Sequence, residues 1–155
     1  MSSQFSHLDP QGNAHMVDVS EKPVTRRLAE ASCRVLLSAQ TLIRLTNLPK
    51  GDAFAVARLA GIQAAKRTPE LVPLAHPVAV HGVRVELDVA DDGVDIRATV
   101  RTADRTGVEM EALTCVVVAG LALVDMVKAV DRTAEITAVR VVAKSGGRSG
   151  DWRRD

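Results

Sequence analysis

The sequence predicts an α+β fold, a two-layer sandwich in which an antiparallel sheet carries helices on one face. Three observations lead there. Val83, Val85, Leu87 and Val89 alternate with Arg84, Glu86 and Asp88, and after Asp91-Asp92-Gly93 the alternation resumes as Val94, Ile96, Ala98 and Val100 against Asp95, Arg97, Thr99 and Arg101. Two period-two runs around a turn signal make a hairpin of half-buried strands. A helix-length apolar segment follows, from about Gly107 to Val130. The order of elements is β-α-α-β-β-α-β, and one helix from each crossover packed on the sheet gives the ferredoxin-like arrangement.

The remaining elements follow in chain order. Residues 1–13 are polar, contain Pro10 and Gly12, and are expected to be mobile. Ala31, Cys33, Val35 and Leu37 alternate with Ser32, Arg34 and Leu36 and predict the first strand. Ser38 is placed to cap a short helix running through Leu45. Pro49-Lys50-Gly51 interrupts the pattern, and Asp52 caps an alanine-rich helix from Ala53 to about Arg67, with Lys66 and Arg67 suiting its negative end. Thr68 to Pro77 holds three prolines and reads as a shaped loop. Glu135 to Ala143 is a β-branched strand, and the Gly/Ser-rich KSGGRSGDWRRD ends the chain. The expected organisation is a single domain over 14–150 with a short tail over 151–155, free of internal repeats.

Composition narrows the function. Hydrophobic residues make up 46% of the 155, so a packed core is expected, yet aromatics are only 2%: Phe5, Phe54 and Trp152. The core must then be built from Val, Ala, Leu and Ile at close backbone approach. A net charge of +1 and the lack of stacking rings argue against a nucleic-acid role. Cys33 and Cys115 are too few for a cysteine metal cluster or a disulfide framework. No basic start with an apolar stretch marks a secretory signal, and the longest apolar run, Ala112 to Val124, falls short of the ~18 residues that span a bilayer. The expectation is a soluble cytoplasmic protein with no membrane partner.

The run ALTCVVVAGLALV is apolar on nearly every helical face. In a two-layer sandwich one face meets the sheet, and the other must be covered by another subunit or by the neighbouring alanine-rich helix. The first reading predicts an oligomer.

Candidate chemistry is scattered. Asp125 and Lys128 are three apart on one face of the long helix, and the bland reading is a solvated ion pair. Against that, Asp125 sits near the helix C-terminus, where the macrodipole disfavours negative charge. Glu109 and Glu111 flank Met110 and point different ways, suiting a helix start. Lys50 precedes a helix start, and Arg58, Lys66 and Arg67 add positive charge, a plausible phosphate surface or a solvated face. His76 precedes Pro77, and the odd separation of His76 and His81 along a strand argues against them as paired ligands, so no metal site is predicted. Lys144-Ser145-Gly146-Gly147-Arg148-Ser149-Gly150 could turn backbone amides around an oxyanion, or be a flexible tail.

Read together, MVDVS (Met16–Ser20), FAVARLAGIQAAKRTPELVPLAHP (Phe54–Pro77), TGVEMEALT (Thr106–Thr114), DMVKAVDR (Asp125–Arg132) and AKSGGRSG (Ala143–Gly150) strongly resemble the MoaC family, in order and from about His7 to Gly150. The resemblance implies the cyclic pyranopterin monophosphate synthases of molybdenum cofactor biosynthesis. It implies a ferredoxin-like hexamer, a trimer of dimers with active sites at the dimer interface. It further implies a lyase that takes cyclised GTP, 3′,8-cyclo-7,8-dihydro-GTP, to cyclic pyranopterin monophosphate and pyrophosphate, with no cofactor needed. Carried over by position, the acid/base aspartate falls on Asp125 and the key lysines on Lys50 and Lys128. Substrate contacts fall on Leu74, Ala75, His76, Met110 and Glu111, with Arg27, Lys144 and Glu109 as further pocket residues. The family usually has cysteine where this chain has Ala75, so thiol chemistry there is not required. Two rivals share these residues: a nucleotide-sensing module without turnover, and an inert structural subunit.

Overall fold

The computed structural model describes residues 6–155. The first five positions of the expected N-terminal segment, Phe5 among them, lie outside the described residues. Beyond them, Leu8 bridges Ala14, and Asp9 closes the turn by accepting from the Gln11 and Asn13 amides at 2.9 and 2.8 Å.

The elements are β1 (Thr25–Leu36), α1 (Ala39–Arg44), α2 (Ala53–Lys66), α3 (Thr68–Leu71), β2 (Val80–Ala90), β3 (Gly93–Asp104), α4 (Glu109–Val127), β4 (Glu135–Ser145) and β5 (Trp152–Arg153). Strand order is β2-β3-β1-β4-β5, antiparallel throughout. This is the predicted α+β sandwich with one added edge strand. Ser38 and Asp52 cap α1 and α2 as expected, accepting from the Thr41 and Ala55 amides.

Alternation sets the core. Ala29, Ala31, Cys33 and Val35 of β1 and Val94, Ile96, Ala98 and Val100 of β3 turn to the helices and are buried. Register matches them, Ala31 to Ala98 and Cys33 to Ile96. Each large apolar side chain fully buried this way, such as Leu123 of α4 against the sheet, contributes ~1.5–3 kcal/mol. With so few rings available, the helices come close through small residues. A Cβ on Gly61 of α2 would lie 3.0 Å from the Cys115 carbonyl and 3.2 Å from Ala119 of α4. The Cys33 thiol donates to the Val116 carbonyl at 3.3 Å. Burial pushes that thiol up to about 11 and the Cys115 thiol to about 12, so neither is a nucleophile at neutral pH.

Four departures from the sequence reading have simple causes. β1 starts at Thr25 rather than Ala31, because the whole stretch is held between β3 and β4 although Arg26-Arg27 breaks the apolar alternation. Thr68–Leu71 is a single helical turn, with Pro69 in its first turn where no amide is needed. The Gly/Ser-rich end does not simply trail away. Gly146, Gly147 and Gly150 take positive φ, which glycine allows without a Cβ clash, and return Trp152 and Arg153 to pair with Lys144 and Ala143. Arg58 is not part of a free basic face, since its Nε donates to the Val85 carbonyl at 3.2 Å.

α4 is long and apolar enough to pass as a membrane span by composition, yet half of it is buried inside the fold. α2 covers only part of its outer face. Met110, Val117 and Leu121 remain exposed, at 41%, 38% and 58%, and Val56 and Leu59 of α2 extend the apolar surface. α2 therefore covers part of the apolar helix and leaves part of its outer face exposed.

Candidate active site

The C-terminal end of α4 gathers three of the assigned residues. Asp125 lies on the same exposed stripe as Met110, Val117 and Leu121, one turn beyond Leu121. Lys50 arrives from the turn between α1 and α2, and its Nζ donates to Asp125 Oδ2 at 2.9 Å. Lys128, one turn on, meets Asp125 Oδ1 at 2.7 Å. Each carboxylate oxygen thus has its own ammonium. These charge-assisted hydrogen bonds, Lys128's first and Lys50's second, hold the Asp125 carboxyl well below its ordinary value, at about 2. The side chains are about half exposed, so the cluster faces outward and is open to a ligand.

The other end of α4 holds the second group. Leu74, Ala75, His76, Glu109, Met110 and Glu111 line a cavity of about 290 Å³. The helix start places Glu111 inward, 3% exposed, while Glu109 one residue-pair earlier stays at the rim. Burial, reinforced by the nearby Glu109 carboxylate, pushes the Glu111 carboxyl up from its ordinary value. His76 Nε2 donates to the Val17 carbonyl, tying the N-terminal segment across the cavity mouth.

Arg27 and Lys144 stand outside this lining. Lys144 joins it through Glu109, Nζ to Oε1 at 3.1 Å, and also holds the Ser149 hydroxyl at 3.0 Å. Arg27 is spent on the Asp104 and Arg105 carbonyls, both at 3.2 Å, beneath Gly147. His7 and Lys22 also line the cavity and were missed from sequence. Their one signal was position, on either side of the MVDVS match.

Within one protomer the two groups do not meet. Glu111 and Asp125 are fourteen residues apart on one straight element, about 21 Å at 1.5 Å per residue. The Ala75 amide donates to the Val72 carbonyl at 3.1 Å, so the loop's shape is set by backbone rather than by the side chain at that position.

Comparison with known proteins identifies the family. The MoaC family profile matches residues 16–147. A cyclic pyranopterin monophosphate synthase of Streptomyces griseus is 64% identical over 154 residues, covering 98% of this chain and 87% of its own. One from Nocardioides sp. is 59% identical, covering 97% of this chain and 96% of its own. Cyclic pyranopterin monophosphate synthase 2 of Mycobacterium tuberculosis is 55% identical, covering 99% and 93%. Similarity at that level, spread across every element that carries the two clusters, leaves one assignment: the chain belongs to the MoaC family.

Proposed function

We propose that this chain is a lyase converting (8S)-3′,8-cyclo-7,8-dihydroguanosine 5′-triphosphate to cyclic pyranopterin monophosphate with release of pyrophosphate, in molybdenum cofactor biosynthesis. The observation that carries it is the Asp125 carboxylate held between two ammonium groups. Forming a cyclic phosphate while expelling pyrophosphate needs a base for the attacking hydroxyl and cations for the departing charge. Asp125 stays ionised across the neutral range and accepts a proton. Lys128 and Lys50 supply protons and neutralise phosphate. Glu111 and His76, in the cavity, bind the edge of the guanine-derived ring, with Leu74, Ala75 and Met110 shaping its walls. Glu109 and Lys144 brace that rim, and Arg27 shapes its margin.

The site is completed by a second copy. The stripe Met110, Val117, Leu121 ends at Asp125, so two α4 helices packed antiparallel about a two-fold axis would bury the apolar surface. The same packing brings the Asp125 cluster of one copy to the Glu111 cavity of the other. Three such dimers form the hexamer that the family resemblance implies. This enzyme works in the cytoplasm on a small molecule, without nucleic acid or membrane.

The test is direct: incubate the protein with the cyclised GTP and measure pyrophosphate and the pterin product. Binding without pyrophosphate release above background rejects the lyase reading in favour of a nucleotide sensor.

A further inference from the structure

We infer that Asp131 is a positioning residue, whose carboxylate locks the segment carrying Lys50 to the end of α4 carrying Asp125 and Lys128. The inference rests on the catalytic reading above.

The geometry is that of a hub. Asp131 is 4% exposed. Its Oδ2 accepts from the Ser38 amide at 2.8 Å. Its Oδ1 accepts from the Thr133 amide at 2.9 Å and the Thr133 hydroxyl at 2.6 Å. Ser38 in turn caps α1, accepting from the Thr41 amide at 3.2 Å and sharing a 2.9 Å hydroxyl bond with Thr41. A buried carboxylate on this many donors is held firmly ionised, and its pKa lies far below the ordinary range.

Each side of the hub leads to a lysine. On one side, Ser38 opens α1, and the short turn after α1, anchored by the buried Leu48, carries Lys50. On the other, the Asp131 and Val130 amides both bond the Val127 carbonyl at 2.9 Å, closing α4 directly beyond Lys128. No other hydrogen bond among the described residues joins Ser38 to the loop that follows α4. The Lys50–Asp125 contact spans these two segments, so its length depends on how they are fixed to each other. A general base loses rate steeply when its partners drift, on the order of 100-fold for about 1 Å.

Asp131→Asn keeps the shape but presents an amide to donors that need an acceptor. In the full-length assembled protein it should lower kcat for pyrophosphate release about tenfold or more and leave KM within about twofold, since the ring-binding cavity is untouched. A second readout follows geometry without turnover: brief acetylation with acetic anhydride, quantified by mass spectrometry at each lysine against Lys66 as internal reference. Labelling of Lys50 and Lys128 should rise at least about threefold once their hold on Asp125 loosens. Should Asp131→Asn fail to fold, Thr133→Val removes one donor from the hub and should move both readouts in the same directions. Unchanged labelling of both lysines overturns the inference, whatever the melting temperature does. So does an unchanged kcat in the folded variant. If the wild-type protein releases no pyrophosphate, the lyase reading fails on its own, and labelling alone decides the role of Asp131.

Discussion

Lys50 and Asp125 lie 75 positions apart in the chain yet meet at 2.9 Å. The contact crosses from the turn between α1 and α2 to the end of the longest helix, and it exists only because the sandwich folds those ends together. A half-exposed ion pair of this kind adds little to stability. In the proposed reaction its role is to hold a carboxylate between two cations where a phosphate can displace them.

Removing any member should therefore spare the fold and stop the chemistry. Lys50→Ala, Asp125→Asn and Lys128→Ala are expected to keep their far-ultraviolet circular dichroism, melting temperature and assembly state. Pyrophosphate release should fall by on the order of 100-fold or more in each. Full activity in one of them removes that residue from the scheme.

The two lysines should not be equal in their grip on Asp125. Lys128 makes the larger contribution to lowering its carboxyl and Lys50 the smaller. In a carbon-13 titration of the Asp125 side chain, Lys128→Ala should raise the midpoint from about 2 by more than Lys50→Ala does. The reverse order would mean that solution geometry differs from the 2.7 and 2.9 Å pairing.

Much of this was legible in the sequence, and the boundary is physical. The hairpin, Ser38 and Asp52 as caps, and the α4 span follow local rules of periodicity and capping, so reading them needs only neighbours in the chain. The first half of β1 does not announce itself, because Arg26 and Arg27 break the alternation while β3 and β4 hold the backbone. The pairing of Asp125 with Lys128 was visible as an i,i+3 spacing. Its second partner, Lys50, was placed only by family resemblance, since no spacing rule connects them. Asp131 had a local signal, an Asp-Arg-Thr turn in which the acid accepts from the residue two positions on, but its bond to Ser38 is a product of the tertiary fold.

Acid should weaken the fold through the buried Asp131 carboxylate. Its folded-state value lies below that of the ordinary aspartate, which in the unfolded chain is about 3.9. Depressed groups contribute stability that is fully present above the unfolded value and is lost as pH falls toward the folded one. Urea unfolding midpoints should hold steady from pH 7 to about 5 and decline from about pH 4 downward. Asp131→Asn should flatten that decline; an equally steep one would show that the buried hub is not its source.

The hairpin turn sets a steric limit that can be checked without any substrate. A Cβ at Gly93 would overlap the Val35 carbonyl of the neighbouring strand, a backbone atom with no freedom to move aside. Gly93→Ala should cost about 1–3 kcal/mol by chemical denaturation. A neutral result would mean that the β1–β3 approach is looser than the register indicates.

The two-copy site makes the most demanding prediction, because it requires dead proteins to rescue each other. Asp125→Asn destroys one cluster and Glu111→Gln the other, and the two clusters sit about 21 Å apart on α4 of a single chain. If one copy's Asp125 cluster works against the other's Glu111 cavity, a mixed dimer has one site with both defects and one with neither. Random mixing at equal amounts makes about half the dimers mixed, and half the sites in those are intact, so activity should return to about a quarter of wild type. Mixing must follow co-expression or unfolding and refolding, so that chains exchange. Leu121→Glu, which puts a charge in the middle of the exposed stripe, should abolish both assembly and rescue. Two inactive variants that stay inactive after exchange, while wild type refolded the same way recovers, would place the whole site within one protomer.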